Sequence, residues 1–139
     1  MTYALADALQ KAVYGALAQD ATLSGLVGTA IYDAPPPDDG LAQPGPHVVL
    51  GEERVRAQSS VSAQGAVHDF TVQVHSAADG FASAKQIAAA VCDALIDAAL
   101  ALDRGTLVGL QFLQARAARG RPPEQRRILL RFRARLQDV

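Results

Sequence analysis

The sequence predicts an α+β fold: one domain with a mainly antiparallel sheet and two helices packed on one face of it. Two stretches, 2–20 and 81–98, repeat apolar residues at the spacing of a helix. Stretches near 47–52, 67–75, 107–113 and 126–136 look like strands, and the longest of them alternate apolar and polar residues. The order helix, strands, helix, two strands favours helices segregated on one face of an antiparallel sheet. A length of 139 residues fits a single domain.

The N-terminal stretch is predicted to be an amphipathic helix. Leu5, Leu9 and Val13 recur on one face, and Thr2 is placed to cap the helix. Polar residues such as Lys11 interrupt the apolar run, so the stretch is not typical of a signal peptide. No apolar stretch approaches the roughly eighteen residues of a membrane span. We therefore expect a soluble protein that is made in the cytoplasm.

Polar stretches flank the next elements. The run "DATLSGLVG" predicts a short helical turn closed by Gly28, and the proline, glycine and aspartate content of 31–46 predicts a surface loop. A strand is expected in "HVVLGE". The stretch "RVRAQSSVSAQGA" offers little to bury, so it is predicted to be a mobile hairpin arm or a loop.

The central strand and the second helix have clear periods. In "VHDFTVQVH" the side chains of Phe70, Val72 and Val74 point to one face, and those of the intervening polar residues to the other. From residue 81 the period changes to 3.6, and Asp79 is a plausible helix cap. The apolar stripe of this helix consists of Ala84, Ile87, Ala88, Val91, Leu95 and Ala98.

The two final strands form the rest of the predicted sheet. In "LVGLQFL" the apolar face carries Val108, Leu110 and Phe112. The last strand, "RRILLRFRARL", alternates apolar residues with a basic stripe. The stripe consists of Arg127, Arg131, Arg133 and Arg135. Residues 114–125 between the two strands are expected to be a long loop.

The histidines do not predict a metal site. His68 and His75 are seven positions apart on one strand, which places them on opposite faces and about 23 Å apart. His47 can approach one of them only by sheet pairing. No His or Cys pair has ligand spacing. We expect ordinary strand histidines, no metal and no cofactor.

No motif predicts an enzyme. Asp38 and Asp39 lie beside three prolines, and Glu52 and Glu53 at the end of a strand, without the rigid, partly buried setting that catalytic carboxylates need. No nucleophile elbow or phosphate-binding glycine loop occurs. Cys92 is the only cysteine, and its alanine-rich helix predicts a buried structural thiol.

The charge is unevenly distributed. The formal charge is -1, but most of the arginines lie in the last third of the chain. The arginine stripe has three interpretations: a solvated strand face that discourages aggregation, a surface that pairs with acidic groups of an adjacent subunit, or a nucleic-acid-binding face. The chain has no tryptophan, and its phenylalanines look directed to the core, so no platform for stacking bases is evident.

With these segments in view, the chain resembles the tail-terminator or tail-completion family of long-tailed bacteriophages and gene transfer agents. The pattern that carries the resemblance consists of "LSGLVGTAIYDAPPPD", "PGPHVVLGE", "HDFTVQVHSAADGFASAKQIAAAVCDAL" and "GLQFLQARAARGRPPEQRRILLRFRA", which together with the first helix cover nearly all of the chain. His47 and His75 depart from the pattern, because similar proteins often carry bulky aromatic residues there.

The resemblance implies a structural virion protein. Such proteins form a ring, typically of six subunits, at the head-proximal end of the tail tube, where the ring ends tube polymerisation and docks the head connector. The implied partners are other copies of the chain, the tail tube protein and a head-side connector or stopper protein, with DNA passing through the lumen unrecognised and no membrane involved. A stopper or head-completion protein is an alternative, and a small nucleic-acid-binding module is a third.

A ring needs two different matching patches on each subunit. We expect the subunit interface to pair acidic groups with the arginine stripe of a neighbour. The residues predicted for it are Asp38, Asp39, Glu52, Glu53, Arg127, Arg131, Arg133 and Arg135. The residues predicted to contact the tube or the connector are Arg54, Arg56, Ser59, Ser60, Arg119 and Arg121.

Overall fold

The computed structural model describes residues 3–33, 45–58, 65–76, 81–96, 98–119 and 126–138. Three helices and five strands lie in these ranges. In chain order they are α1 (Ala6–Gln19), α2 (Ala21–Val27), β1 (Ile31–Tyr32), β2 (His47–Ala57), β3 (Gly65–Ser76), α3 (Ala82–Ile96), β4 (Thr106–Arg119) and β5 (Arg126–Gln137). The predicted α+β class is confirmed.

The five strands form one sheet in the order β1-β2-β3-β5-β4. The pairs β2–β3, β3–β5 and β5–β4 are antiparallel. The two-residue strand β1, which the sequence did not predict, runs parallel to β2 and pairs only with Val48 and Val49. The sheet is therefore mainly, but not wholly, antiparallel.

The helices pack on the apolar face of the sheet. Helix α3 contacts β3, β4 and β5, and α1 and α2 pack against α3. The buried residues of α3 include Ile87, Val91 and Leu95, as the helical period predicts. They meet a row of buried strand residues that includes Val72 and Leu130. Burial of this continuous apolar layer is the main force that holds the sheet and the helices together.

The ends of the first helices differ in part from the prediction. The N-cap of α1 is Leu5, which makes no side-chain capping bond. Thr2, the predicted cap, lies outside the described residues. Helix α2 begins after Asp20, whose Oδ2 accepts a hydrogen bond from the backbone N–H of Leu23 at 2.9 Å. It ends before Gly28, which has a φ of 64° that favours glycine.

Two strands are longer than predicted. Strand β2 continues through Ala57, and β4 continues through Arg119, so 54–57 and 114–119 are strand where the sequence predicted an arm or a loop. Apart from Val55, these stretches contain no large apolar side chain, so their local strand pattern is weak. They are extended because they pair with β3 and β5, respectively. Cross-strand pairing, which a local pattern does not contain, fixes their conformation.

Irregularities in β4 change which side chains face the helices. The register shifts between Leu107 and Gly109 and again between Phe112 and Gln114. The shift makes Val108 an extra residue, which is 58 % exposed, so the prediction that it joins the apolar face is wrong. Leu107 takes that position instead, opposite Leu136.

Candidate interaction surface

The face of the sheet that points away from the helices carries seven arginines. Residues that pair directly across neighbouring strands share a face, and the pairings place together Arg54, Arg56, Arg116, Arg127, Arg131, Arg133 and Arg135. We call this set the arginine face. Four of its members come from the predicted stripe on β5, and β2 and β4 contribute the others. Since the whole chain has a formal charge of -1, the rest of the chain carries an acidic excess.

Asp69 is the anionic centre of the arginine face. Its carboxylate accepts two hydrogen bonds from Arg133, at 2.8 Å from Nε and 3.1 Å from Nη2. Arg56 Nη2 lies 3.8 Å from the same carboxylate. The hydrogen bond from Arg133 and its positive charge hold the pKa of Asp69 below its ordinary value. Arg133 is thus engaged within the chain, which makes it a poor donor to another subunit.

Arg131 is the exposed centre of the same face. It lies opposite Thr71 on β3 and Gln114 on β4, and no ion pair holds its guanidinium among the described residues. A shallow depression beside it is lined by Arg131, Thr71, Asp69, Arg54, Glu52 and Glu53. An arginine in such a place keeps its full set of donors for an anionic group from outside the chain.

Other arginines of the face cover apolar surface. Val67 is 3 % exposed although it points to the arginine face. Arg56 and Arg135 flank it in the register, so their aliphatic stems can shield it. Arg135 also donates a hydrogen bond to Gln58 Oε1 at 3.0 Å. Part of this charged surface therefore has a structural role.

Two histidines stack at one end of the arginine face. His47 and His75 are direct partners across β2 and β3, and their ring centroids lie 4.8 Å apart with an interplanar angle of 7°. Tyr32 meets His47 edge-on at 6.0 Å. The sequence allowed such an approach only through sheet pairing, and this is how it occurs. The two imidazoles form a ring contact at positions where similar proteins were expected to carry aromatics.

This environment favours the neutral form of His75. Burial, together with the neighbouring His47 and Arg127, lowers the pKa of His75 to about 4. Burial also lowers the pKa of His68, whose ring nitrogens find no hydrogen-bond partner among the described residues. Both histidines are therefore neutral in the folded chain near pH 7.

Stability is expected to fall as the pH drops from about 6.5 to about 4. In this window the unfolded chain binds a proton at His75 while the folded chain does not, since the ordinary pKa of 6.5 is lowered to about 4 on folding. We expect a loss on the order of 1–2 kcal/mol, because solvent screens a half-buried site. Urea unfolding at a series of pH values measures it. His75→Phe keeps a ring beside His47 and should reduce the slope to the part that His68 contributes; an unchanged slope in this variant would contradict the assignment.

Glu52 and Glu53, which the sequence presents as one acidic pair, differ in their pairing: Glu53 pairs with Phe70, and Glu52 lies within a register shift of β2. The shift lies between Leu50 and Glu53. Glu53 lies opposite Phe70, toward the helices, and its Oε1 accepts a hydrogen bond from the Tyr3 hydroxyl. Burial raises the pKa of Glu53. Both Glu52 and Glu53 line the depression beside Arg131.

The remaining predicted site residues divide into three groups. Asp38, Asp39, Ser59, Ser60 and Arg121 lie outside the described residues. Arg119 lies opposite Arg126, on the side of the sheet that faces the helices, and not with the arginine face. Arg116 belongs to the face but was missed, because the sequence pattern ended β4 before it. If the strand alternation of β4 is continued past residue 113, it places Arg116 on the arginine face.

Chemically reactive groups do not converge elsewhere in the described part of the chain. Those residues contain no group of three or more His, Cys, Asp or Glu side chains that could hold a metal ion. Cys92 is half-buried, and burial raises the pKa of its thiol, which disfavours the nucleophilic thiolate. No helix in the described ranges is long and apolar enough to cross a membrane.

The fold and the surface define a class of protein: a small α+β module with a charged sheet face and, in the described ranges, sheet edges that lack a strand partner. Comparison with known proteins makes the class specific. The chain belongs to the tail-completion family, because the family model described as "Tail completion protein gp17" matches residues 11–137. The predicted family is thereby confirmed.

A solved structure supports the same assignment. The chain is similar to a chain in the structure titled "Virion of native gene transfer agent (GTA) particle", with 54% sequence identity and a TM-score of 0.87. The match covers 98% of this chain and 99% of the other. A comparison with curated proteins finds no match. The similarity thus extends over the whole fold.

Proposed function

We propose that this tail-completion protein is a non-enzymatic virion component that forms a ring at the head-proximal end of the tail tube. The ring ends polymerisation of the tube and provides the surface on which the head connector docks. The observation that carries this proposal is the 54% identity, over 98% of the chain, to a chain of a gene transfer agent particle. The partners are other copies of the chain, the tube protein and a head-side connector or stopper protein.

The surface of the protein supports an assembly role. The arginine face presents Arg54, Arg116, Arg131 and Arg135 as exposed side chains, whereas the rest of the chain has an acidic excess. A chain with one cationic face and an acidic remainder is suited to heterologous contacts, in which different patches of neighbouring copies meet. Arg131 and Glu52 are the residues of the predicted interface that are best placed for such a contact.

Charge reversal at Arg131 is expected to weaken ring assembly. Arg131→Glu removes an exposed cation that has no ion pair among the described residues, so the fold should persist while association weakens about tenfold, or about 1.4 kcal/mol. Sedimentation at low and high salt measures the effect, which should shrink as salt screens the charges. Lys85→Glu, on the exposed side of α3, is a matched control. Association equal to that of wild type would remove Arg131 from the interface.

Loss of the gene tests the proposed function. Particles from a producer that lacks it should show unjoined heads and tails of irregular, excessive length in electron micrographs. Complementation with the wild-type gene should restore joined particles with tails of uniform length. Tails of normal length that stay attached to filled heads would overturn the proposal. Tails of normal length without heads would instead favour a stopper or head-completion role.

Nucleic-acid binding is a second candidate function, and the seven arginines of the sheet face favour testing it. Non-specific binding to duplex DNA needs only a cationic surface and falls steeply with salt. A titration with a short duplex at increasing salt separates the two functions. The proposed ring predicts no measurable binding at physiological salt. Tight binding with a steep salt dependence that Arg131→Glu reduces would support the second candidate.

A further inference from the structure

Both edges of the sheet are open in the described part of the chain. Strand β4 is one edge, and no described strand pairs with its outer side over Thr106–Arg119. At the other edge, β1 covers β2 only at Val48 and Val49, so no described strand pairs with residues 51–57 on that side. Open edges offer a row of backbone donors and acceptors to another strand. The two open edges are therefore candidate binding sites for a strand of another chain.

Strand β4 also presents apolar side chains to solvent. Val108, Phe112 and Leu113 are 58 %, 47 % and 36 % exposed, respectively. Single exposed apolar residues are common, but three within six positions of an open edge strand form an apolar surface that favours association with another strand. The only charged side chains of this strand are Arg116 and Arg119. We call this surface the β4 edge.

The opposite edge of the sheet carries an apolar pocket. It lies between α1 and the unpaired part of β2, and its apolar lining consists of Leu9, Val13, Leu50 and Phe70. Gly51 and Glu53 of β2 also line it. We call this surface the β2 edge.

The apolar residues of the two edges lie at the same level along the strand direction. Phe112 pairs with Phe132, Phe132 with Phe70, and Phe70 with Glu53. Phe112 and the pocket therefore belong to one cross-strand row, and both lie on the face that the helices cover. If two copies placed their sheets side by side, Phe112 of one would reach the pocket of the next, because both lie on the same face and at the same level along the strands.

Strand direction and charge fit the same arrangement. Strand β3 is antiparallel to β2 and β5, and β4 is antiparallel to β5, so β4 runs opposite to β2. Placed beside the next copy, β4 would continue the antiparallel pattern. Gln114 pairs with Arg131 and lies between it and the next copy's β2, which puts Arg131 two strand spacings, about 10 Å, from Glu52 of the next copy. Extended arginine and glutamate side chains can bridge such a gap.

We infer that the β4 edge of one copy pairs, antiparallel, with the β2 edge of a second copy, and that Phe112 seats against Leu9, Leu50 and Phe70 of that copy. The two edges are different surfaces, so repetition of the contact is heterologous and closes into a ring when the rotation permits. The inference rests on the proposed function and assigns the interface of the proposed ring. It leaves most of the arginine face uncovered for other components.

Substitution of Phe112 tests whether its side chain binds in the pocket of the next copy. Phe112→Asp should weaken association about thirtyfold or more, as expected for an aromatic residue at the centre of an interface. Ile96→Asp, at the end of α3 and 42 % exposed, is the matched control and should leave association unchanged. Circular dichroism confirms that each variant folds. Wild-type association of a folded Phe112→Asp protein would overturn the inference.

Cross-linking tests the strand pairing without disturbing the core. In a Cys92→Ser background, cysteines at Gln111 or Gln114 are combined with cysteines at Glu52, Arg54 or Arg56, and disulfides are scored in rings and in purified particles. The inference predicts efficient disulfides between copies for at least one combination, and none when Lys85→Cys replaces the β4 cysteine. If no combination cross-links in particles whose tails are joined normally, the inference fails and the proposed function stands. If gene loss leaves tails normal, the proposed function itself fails.

Discussion

Phe132→Ala is expected to lower the free energy of unfolding by about 3–5 kcal/mol, which is a large part of the stability of a domain of this size. Phe132 is fully buried in the middle of β5. Its ring lies 5.5 Å from that of Phe70 and 5.9 Å from that of Phe112, measured between centroids. Truncation removes both ring contacts and leaves a cavity beneath α3, which the sheet cannot close without losing its pairing.

Chemical unfolding followed by circular dichroism measures this loss at fixed protein concentration, since assembly would add to the apparent stability. Phe132→Leu retains much of the apolar volume and should lose clearly less. Val108→Ala, on the same sheet but at a side chain that is 58 % exposed, should lose less than about 1 kcal/mol. Equal losses in Phe132→Ala and Val108→Ala would contradict the description of the core.

Gly105→Ala is expected to destabilise the fold by about 2–4 kcal/mol, the second large effect. Gly105 enters β4 with a φ of 80°, a conformation that costs other residues free energy. A Cβ there would lie 2.8 Å from the backbone oxygen of Gln137 and 2.9 Å from the side chain of Leu5, which is fully buried. The backbone strain and the overlap therefore add in the same direction.

Two other glycines separate this effect from a general effect of alanine. Gly109→Ala in β4 meets no atom within 4 Å and should be close to neutral. Gly15→Ala also meets none, and it lies inside α1, where alanine should stabilise the helix by up to about 1 kcal/mol. Thermal unfolding of the three variants measures the differences. A Gly105→Ala protein as stable as wild type would show that the turn before β4 adopts another conformation.

The parts of the fold that the sequence predicted are those with a strong local period. The alternation of β5 around Phe132 and the stripe of α3 through Ile87 and Val91 are visible in the sequence because each buries one face of an element. The full extents of β2 and β4 are not visible in this way. Their distal residues are extended because they pair across the sheet, and both strands contain register shifts that interrupt any period.

The candidate surface was predicted only in part, for the same reason. The basic stripe on β5 follows from alternation, but Arg133 has its partner on β3, 64 positions away in the chain, so its internal engagement with Asp69 could not be read locally. The stacked pair of His47 and His75 likewise depends on the register between β2 and β3. Long-range pairing decides which charges are free for another molecule.

The proposed position of the protein, at the head-proximal end of the tail tube, is tested most directly by locating the protein in the particle. A short epitope tag after Val139, labelled with gold-conjugated antibody and imaged by electron microscopy, marks every copy on particles of normal yield. A ring at the head-proximal end of the tube predicts one cluster of label at the junction between head and tail, and none along the tube or at its distal end. Label spaced along the tube, or confined to the distal tip, would contradict the account.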